Sequence, residues 1–283
     1  MNRRQFIKHS VSMACALGLG MPGLSSAAPG LLNRSPKGGG KDALLADYFE
    51  KIKNFNQVHP HDVFLPEGQR ILLHAVVMRL QRLEESVGHA NFHLISFDEA
   101  LQFARQSTTV GPFSPAETEF LESVFYVAAK EYGFLGEKPV TTLTETIPRD
   151  KIVRVPSTGN FLFRGMSEEV YMRIRTAVGE DLLLTSGIRG IVKQYALFLH
   201  KVLGSDGNYS LASRSLAPPG YSYHGIGDFD VGQLGYGALN FTAQFAETRV
   251  FRRLRELGYL NLRYTRDNTF GVRFEPWHIQ VVS

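Results

Sequence analysis

The 283-residue chain is 43% hydrophobic and 20% charged, which reads as an ordinary globular protein and excludes a disordered or membrane-embedded one. Its formal net charge of +4 comes mostly from the first 28 residues, which hold Arg3, Arg4 and Lys8 and no acid. The rest balances 28 basic residues against 27 acidic ones, so there is no electrostatic case for nucleic acid or an anionic membrane as partner.

Residues 1–28 resemble a twin-arginine export signal. Asn2-Arg3-Arg4-Gln5-Phe6-Ile7-Lys8 precedes a weakly apolar stretch and then Ser25-Ser26-Ala27-Ala28, small residues that suit a signal peptidase. Gly18, Gly20, Pro22 and Gly23 interrupt the apolar run, so no stable membrane anchor is expected after cleavage, and the expected location is the periplasm. The single cysteine, Cys15, falls inside this leader, so a metal in the mature chain would have to be held by His, Asp and Glu. Residues 29–41, with Ser35-Pro36-Lys37-Gly38-Gly39-Gly40, read as a flexible linker.

From 42 to about 140 the pattern is that of a helical accessory region. Leu72, Leu73, Val76, Val77, Leu80 and Leu83 recur on one helical face. Ser96–Glu99 and Ser114–Glu117 have capping-box spacing, the second with Pro115 at the first helical position, and that helix is expected to run on past Ala128 to Tyr132, with Gly133 as its stop. His59 and His61 flank a proline and read as loop. His74 reads as a core or boundary residue, and Gly88 and Asn91 argue against one helix carrying both His89 and His93.

Residues 141–283 read as an α+β domain, a small antiparallel sheet with flanking helices. Strands or extended loops are expected at 139–146, 152–156 and 160–163, and strands at 182–186, 260–264 and 271–274. Helices are expected at 167–178, 190–203 and 242–257. Two stretches carry the chemistry. His224 follows the rigid Pro218-Pro219-Gly220 approach and precedes Asp228-Phe229-Asp230, whose alternation puts both carboxylates on one face. Glu275-Pro276-Trp277-His278 combines an acid and an imidazole around a proline that favours an irregular strand entry. Two imidazoles with nearby carboxylates are the inventory of a catalytic zinc site.

Three blocks, in order, resemble the zinc D-alanyl-D-alanine carboxypeptidases and dipeptidases of the vancomycin-resistance type. They are Ser186-Gly187-Ile188-Arg189 with Gln194, then Ser222-x-His224-x-x-Gly227, then Glu275-Pro276-Trp277-His278. The chain departs from the family pattern at Ile188, where tyrosine is usual, and at Val231, where the metal-binding aspartate would fall. A one-residue deletion after Gly227 brings Asp230 into that role, with Asp228 as rival. The resemblance implies His224, Asp230 and His278 as ligands of Zn2+ and Glu275 as general base. It also implies that Arg189 binds the substrate carboxylate or a developing oxyanion, with Gln194 and Ser222 as lesser substrate contacts and Arg214 as a second possible carboxylate partner. The expected activity is removal of a terminal D-Ala from a peptidoglycan stem peptide. The alternatives are a peptidoglycan cross-link endopeptidase and a non-catalytic, zinc-containing cell-wall-binding module.

Overall fold

The computed structural model describes residues 41–281, so the leader and nearly all of the linker read from the sequence lie outside the described residues. The first half is helical: α1 Lys41–Lys53, α2 Arg70–Val87, α3 His89–Phe92, α4 Phe97–Gln106 and α5 Pro115–Tyr126. Both capping boxes form, since Ser96 and Ser114 each accept from the backbone three residues on and Glu99 and Glu117 return the bond. Helix α5 stops at Tyr126, short of the sequence expectation. A separate 3-10 turn carries Ala129–Tyr132, and Gly133 ends it at φ 96°, a left-handed conformation glycine adopts freely. His74 is exposed rather than at the core.

The second half holds two sheets. Strands β1 Ile152–Arg154 and β2 Phe161–Phe163 form a hairpin. Helix α6 Met166–Val178 leads to β3 Leu182–Ser186, followed by α7 Ile191–Gly204 and the short α8 Tyr209–Ser213. Strand β4 Phe229–Gln233 lies between β3 and the two-residue β5 His278–Ile279, all antiparallel. The fold is α+β, as the alternation of short strands and helices implies.

Residues 139–146 take the loop alternative, with Val140 donating its amide to the Gly220 carbonyl. Two sequence expectations fail here. Stretches 260–264 and 271–274 are irregular too; Asn268 satisfies that backbone by donating to the carbonyls of Thr265 and Val272 and accepting from the Phe270 amide. The helix expected over 242–257 breaks into a 3-10 turn, Ala243–Glu247, and then α9 Arg249–Glu256. The break is chemical: the Thr248 hydroxyl accepts from the Phe251 amide and starts a new helix there.

The sheet has one apolar face. Leu182, Leu184, Phe229, Val231, Trp277 and Ile279 pack against Tyr171 and Ile174 of α6 and Phe251 and Leu254 of α9. A larger core joins Leu73, Val76, Val77 and Leu80 of α2 to Phe198, Leu199 and Val202 of α7. That core draws on both sides of residue 140, and the described residues form one compact unit. The helical region is therefore a buttress for α7, packed through the same core as the second half. Among the described residues, no helix is long and apolar enough to cross a membrane.

A buried ion pair reinforces this joint. Arg214 donates through both terminal nitrogens to Asp62, at 2.7 and 2.9 Å. Arg214 is thus committed to the 59–63 loop and does not serve as the substrate-carboxylate partner considered from the sequence. Burial opposes the charge on Asp62, but Arg214 and Asn208 hold its carboxyl below the usual range. The contribution is therefore full above the ordinary aspartate pKa of about 3.9 and drains away as pH falls through the lower folded value. Arg214→Ala should lower stability at neutral pH by about 3–5 kcal/mol by stranding a buried charge. Urea unfolding checks this, and an unchanged midpoint would show the pair to be dispensable.

Candidate metal and catalytic site

Register builds the site. In the sheet, Asp230 is paired on one side with Ser186 and on the other with His278, so three chemically active residues lie in one row. Leu184 pairs with Val231, yet Ser186 rather than Thr185 pairs with Asp230, because β3 carries a bulge between Leu184 and Ser186. The extra residue re-aims Ser186 toward the polar face. Along β4, Phe229 and Val231 face the apolar core while Asp230 between them faces the site.

His224 arrives from the 3-10 turn Tyr223–Gly225. Its Nδ1 donates to the Gly187 carbonyl at 2.7 Å, which leaves Nε2 as an acceptor 3.2 Å from Asp230 Oδ1. Gly187 is required by close approach, since a Cβ there would lie 2.0 Å from the Phe161 carbonyl oxygen. His278 is turned the other way. Its Nε2 donates to Asp228 Oδ2 at 3.0 Å, and its Nδ1 lies 3.3 Å from Asp230 Oδ1. One ligand atom each from His224, Asp230 and His278 therefore falls within 4.8 Å of the others, all three buried. Two imidazole nitrogens and a carboxylate oxygen, each ring locked by a hydrogen bond at its far nitrogen, form a donor set suited to a divalent metal such as zinc.

Asp228 and Asp230 are both buried, and their partners separate their roles. Asp228 accepts from Arg263 Nε at 2.5 Å, from the Val281 amide at 2.9 Å and from His278, so it lies behind the imidazole. Burial alone would raise its pKa, but His278 and Arg263 hold it at about 2. Burial likewise works against charge on Asp230, and His224 and Arg189 keep its carboxyl well below the usual range. For His278, burial disfavours the charged ring, but the hydrogen bonds to Asp228 and Asp230 overcome it and push the pKa up to about 9.

Glu275 flanks the set, with Oε2 3.8 Å from His278 Nδ1. Its irregular entry into β5 is the one the proline implies: the Glu275 amide donates to the Tyr264 carbonyl, and the His278 amide folds back on the Glu275 carbonyl at 3.2 Å. Burial lifts the Glu275 pKa to about 7, against the pull of Arg273 and His278. It is an acid placed where a proton can move near neutrality.

The other residues singled out in the sequence line the same groove of about 340 Å3, but their bonds differ from the expectation. Arg189 gives Nε to Ser186 Oγ at 2.8 Å and Nη2 to Asp230 Oδ2 at 2.5 Å, so it braces a carboxylate of the chain itself. Gln194 is spent on the backbone, donating to the Arg189 carbonyl and accepting from the Gly220 amide, both at 2.8 Å. Ser222 stands at the start of the turn that presents His224, with no side-chain capping bond to it. Sequence reasoning missed Arg273, whose guanidinium lies 4.7 Å from the Phe55 ring centre and 4.9 Å from that of Trp277. Its buried Nε has no hydrogen-bond partner and sits 3.8 Å from Glu275 Oε1. Its position two residues before Glu275 was the only signal available.

Two comparisons with known proteins find a match. Residues 170–283 match the family model VanY, described as D-alanyl-D-alanine carboxypeptidase. Among solved structures, the chain is similar to a vancomycin-resistance D,D-pentapeptidase VanY from a VanB-type resistance cassette, a glutamate-to-alanine mutant in complex with Zn(II). The identity is 25%, the likeness covers 48% of this chain and 83% of that one, and the TM-score is 0.37. No curated protein matches the chain.

The two aspartates should separate experimentally. Asp230→Ala is expected to abolish binding of one zinc equivalent, whereas Asp228→Asn should retain it with affinity lowered about 10–100-fold, the usual cost of losing a bond behind a ligand. Metal titration of the two variants checks this, and the opposite order would exchange their roles.

Proposed function

We propose that this chain, whose residues 170–283 carry a VanY-type D-alanyl-D-alanine carboxypeptidase domain, is an exported zinc peptidase that removes the terminal D-Ala from peptidoglycan stem peptides. The observation that carries the reading is the buried convergence of His224, Asp230 and His278 with Glu275 at their edge. His224 Nε2, His278 Nδ1 and an Asp230 oxygen would hold the ion. When bound, zinc supplies the positive charge that polarises a peptide carbonyl and brings the pKa of water to roughly 7.

The chain's own groups do the rest. Glu275 accepts the proton of the attacking water and passes it to the leaving amine, a cycle favoured by a pKa of about 7. Asp228 fixes the tautomer of His278 so that Nδ1 is the free lone pair. Arg189 orients Asp230 and, as a groove residue, is placed to steady an oxyanion forming beside it.

A carboxypeptidase must also recognise a free terminal carboxylate. Arg273 suits this task better than Arg189 does. It lines the groove beside the proton acceptor, its guanidinium carbon lies 4.7 and 4.9 Å from two aromatic ring centres, Nη2 donates to the Phe241 carbonyl, and its Nε donor is buried without a hydrogen-bond partner. A carboxylate held there would place the preceding peptide bond near Glu275. The leader read in residues 1–28 supports export by the twin-arginine route to the periplasm, where peptidoglycan lies.

Glu275→Gln should lower kcat on a peptide ending in D-Ala-D-Ala by about 10²–10⁴-fold while zinc content stays at the wild-type value. Mass analysis of products together with metal analysis checks both halves; retained turnover would remove Glu275 from the role. Arg273→Gln should reduce kcat/KM for the free acid by roughly 30-fold or more, as expected when a desolvated charge pair loses one partner. The C-terminal amide of the same peptide should lose much less, only the part that Arg273 contributes through Glu275. Equal losses on both substrates would assign Arg273 a structural role, and a preference for amides or cross-linked peptides would favour the endopeptidase reading.

A further inference from the structure

A second pair of imidazoles faces the same groove. Gly88, at φ 82°, ends α2 and begins α3, which stops at Phe92 so that, as expected, no one helix carries both His89 and His93; His93 follows as its C-cap, and both rings line the groove. Their Nε2 atoms are 3.2 Å apart. Each ring's other nitrogen is tethered: His93 Nδ1 donates to the Ile188 carbonyl at 3.0 Å, and His89 Nδ1 bonds Glu84 Oε1 at 2.9 Å. A carbonyl only accepts, so the His93 proton is on Nδ1 and its Nε2 turns a lone pair toward His89. Glu84, a carboxylate, fixes the proton of His89 on Nδ1 in the same way. Two facing lone pairs at this distance call for a cation between them.

The geometry repeats that of the first site. The rings of His224 and His278 have centroids 4.8 Å apart at an interplanar angle of 85°, and those of His89 and His93 are 4.7 Å apart at 85°. In each pair one ring is tethered by a backbone carbonyl and the other by a carboxylate, and the two carbonyls belong to the adjacent residues Gly187 and Ile188. Two nitrogens each about 2.0–2.1 Å from a tetrahedral zinc lie roughly 3.3 Å from one another, which matches the observed gap.

We propose that His89 and His93 form a second site for an imidazole-seeking divalent transition metal, in the same groove as the catalytic set but with its own ligands. The His89 side chain is 62% exposed, so the ion has a path in. With only two protein ligands, the remaining positions open to the groove and would accept water or a carboxylate of a bound peptide. Lys193 sits nearby, its ammonium held by Glu84 Oε1 at 2.7 Å, and its charge makes this the weaker of the two sites.

Equilibrium dialysis of the full chain against zinc, followed by metal analysis, tests the proposal. Wild type should take up two equivalents, the second more weakly. His89→Gln, which still donates to Glu84 but is no longer an imidazole ligand, should take up one. His224→Ala should lose the tight equivalent and keep the weak one, so failure of the catalytic site and failure of this one are distinguishable. Unfolding midpoints measured with chelator should be the same for wild type and His89→Gln, confirming that the loss is not one of folding. A single equivalent in wild type at saturation would mean that a proton bridges the rings, and a second equivalent that survives both His89→Gln and His93→Ala would place it elsewhere; either result overturns the proposal.

Discussion

The fully buried carboxylate of Asp230 is the constraint around which the rest is arranged. An isolated charge at that depth would be strongly disfavoured. It stays charged because Arg189 donates to one oxygen while His224 and His278 face the other. Each partner arrives from a different part of the chain: the turn after β3, the 3-10 turn after Gly220 and the last strand. Closing this set of contacts is therefore equivalent to assembling the second half of the fold.

The supports extend outward in layers. Asp228 stands behind His278 and is itself held by Arg263, whose guanidinium lies over the Tyr223 ring at 3.4 Å, next to His224. The two imidazoles are thus braced from a common point. Gln194, on α7, clamps the Arg189 carbonyl, and α7 is positioned by the core it shares with α2. This gives the helical region a physical purpose: it holds the helix that holds the arginine. It also supplies Phe55 against Arg273 and, through α3, one wall of the groove.

Much of this was legible in the sequence because it depends on local chemistry. Ser96, Ser114 and Gly133 signal caps and stops through their own side chains or lack of one, and they act where expected even though α5 itself ends early. The blocks around His224 and His278 announced an imidazole–carboxylate cluster, and alternation around Phe229 put the aspartates on one face. What could not be read was decided at long range. The family resemblance favoured Asp230 over Asp228, but why it is Asp230 that lies among the imidazole nitrogens follows from the bulge in β3 and the pairing of Asp230 with His278 of β5. Arg214 and Gln194 looked like substrate contacts until their partners, Asp62 and the backbone at 189 and 220, came into view. The stretches 260–264 and 271–274 have the composition of strands, but Asn268 gives their backbone another way to be satisfied.

The central claim is that two imidazoles and one carboxylate share a single divalent ion. X-ray absorption at the zinc edge, on protein loaded with one equivalent, addresses it most directly. The account predicts two imidazole nitrogens at about 2.0–2.1 Å, oxygen completing the shell and no sulfur. A spectrum with fewer than two imidazoles, or with a shell made of oxygen alone, would contradict it.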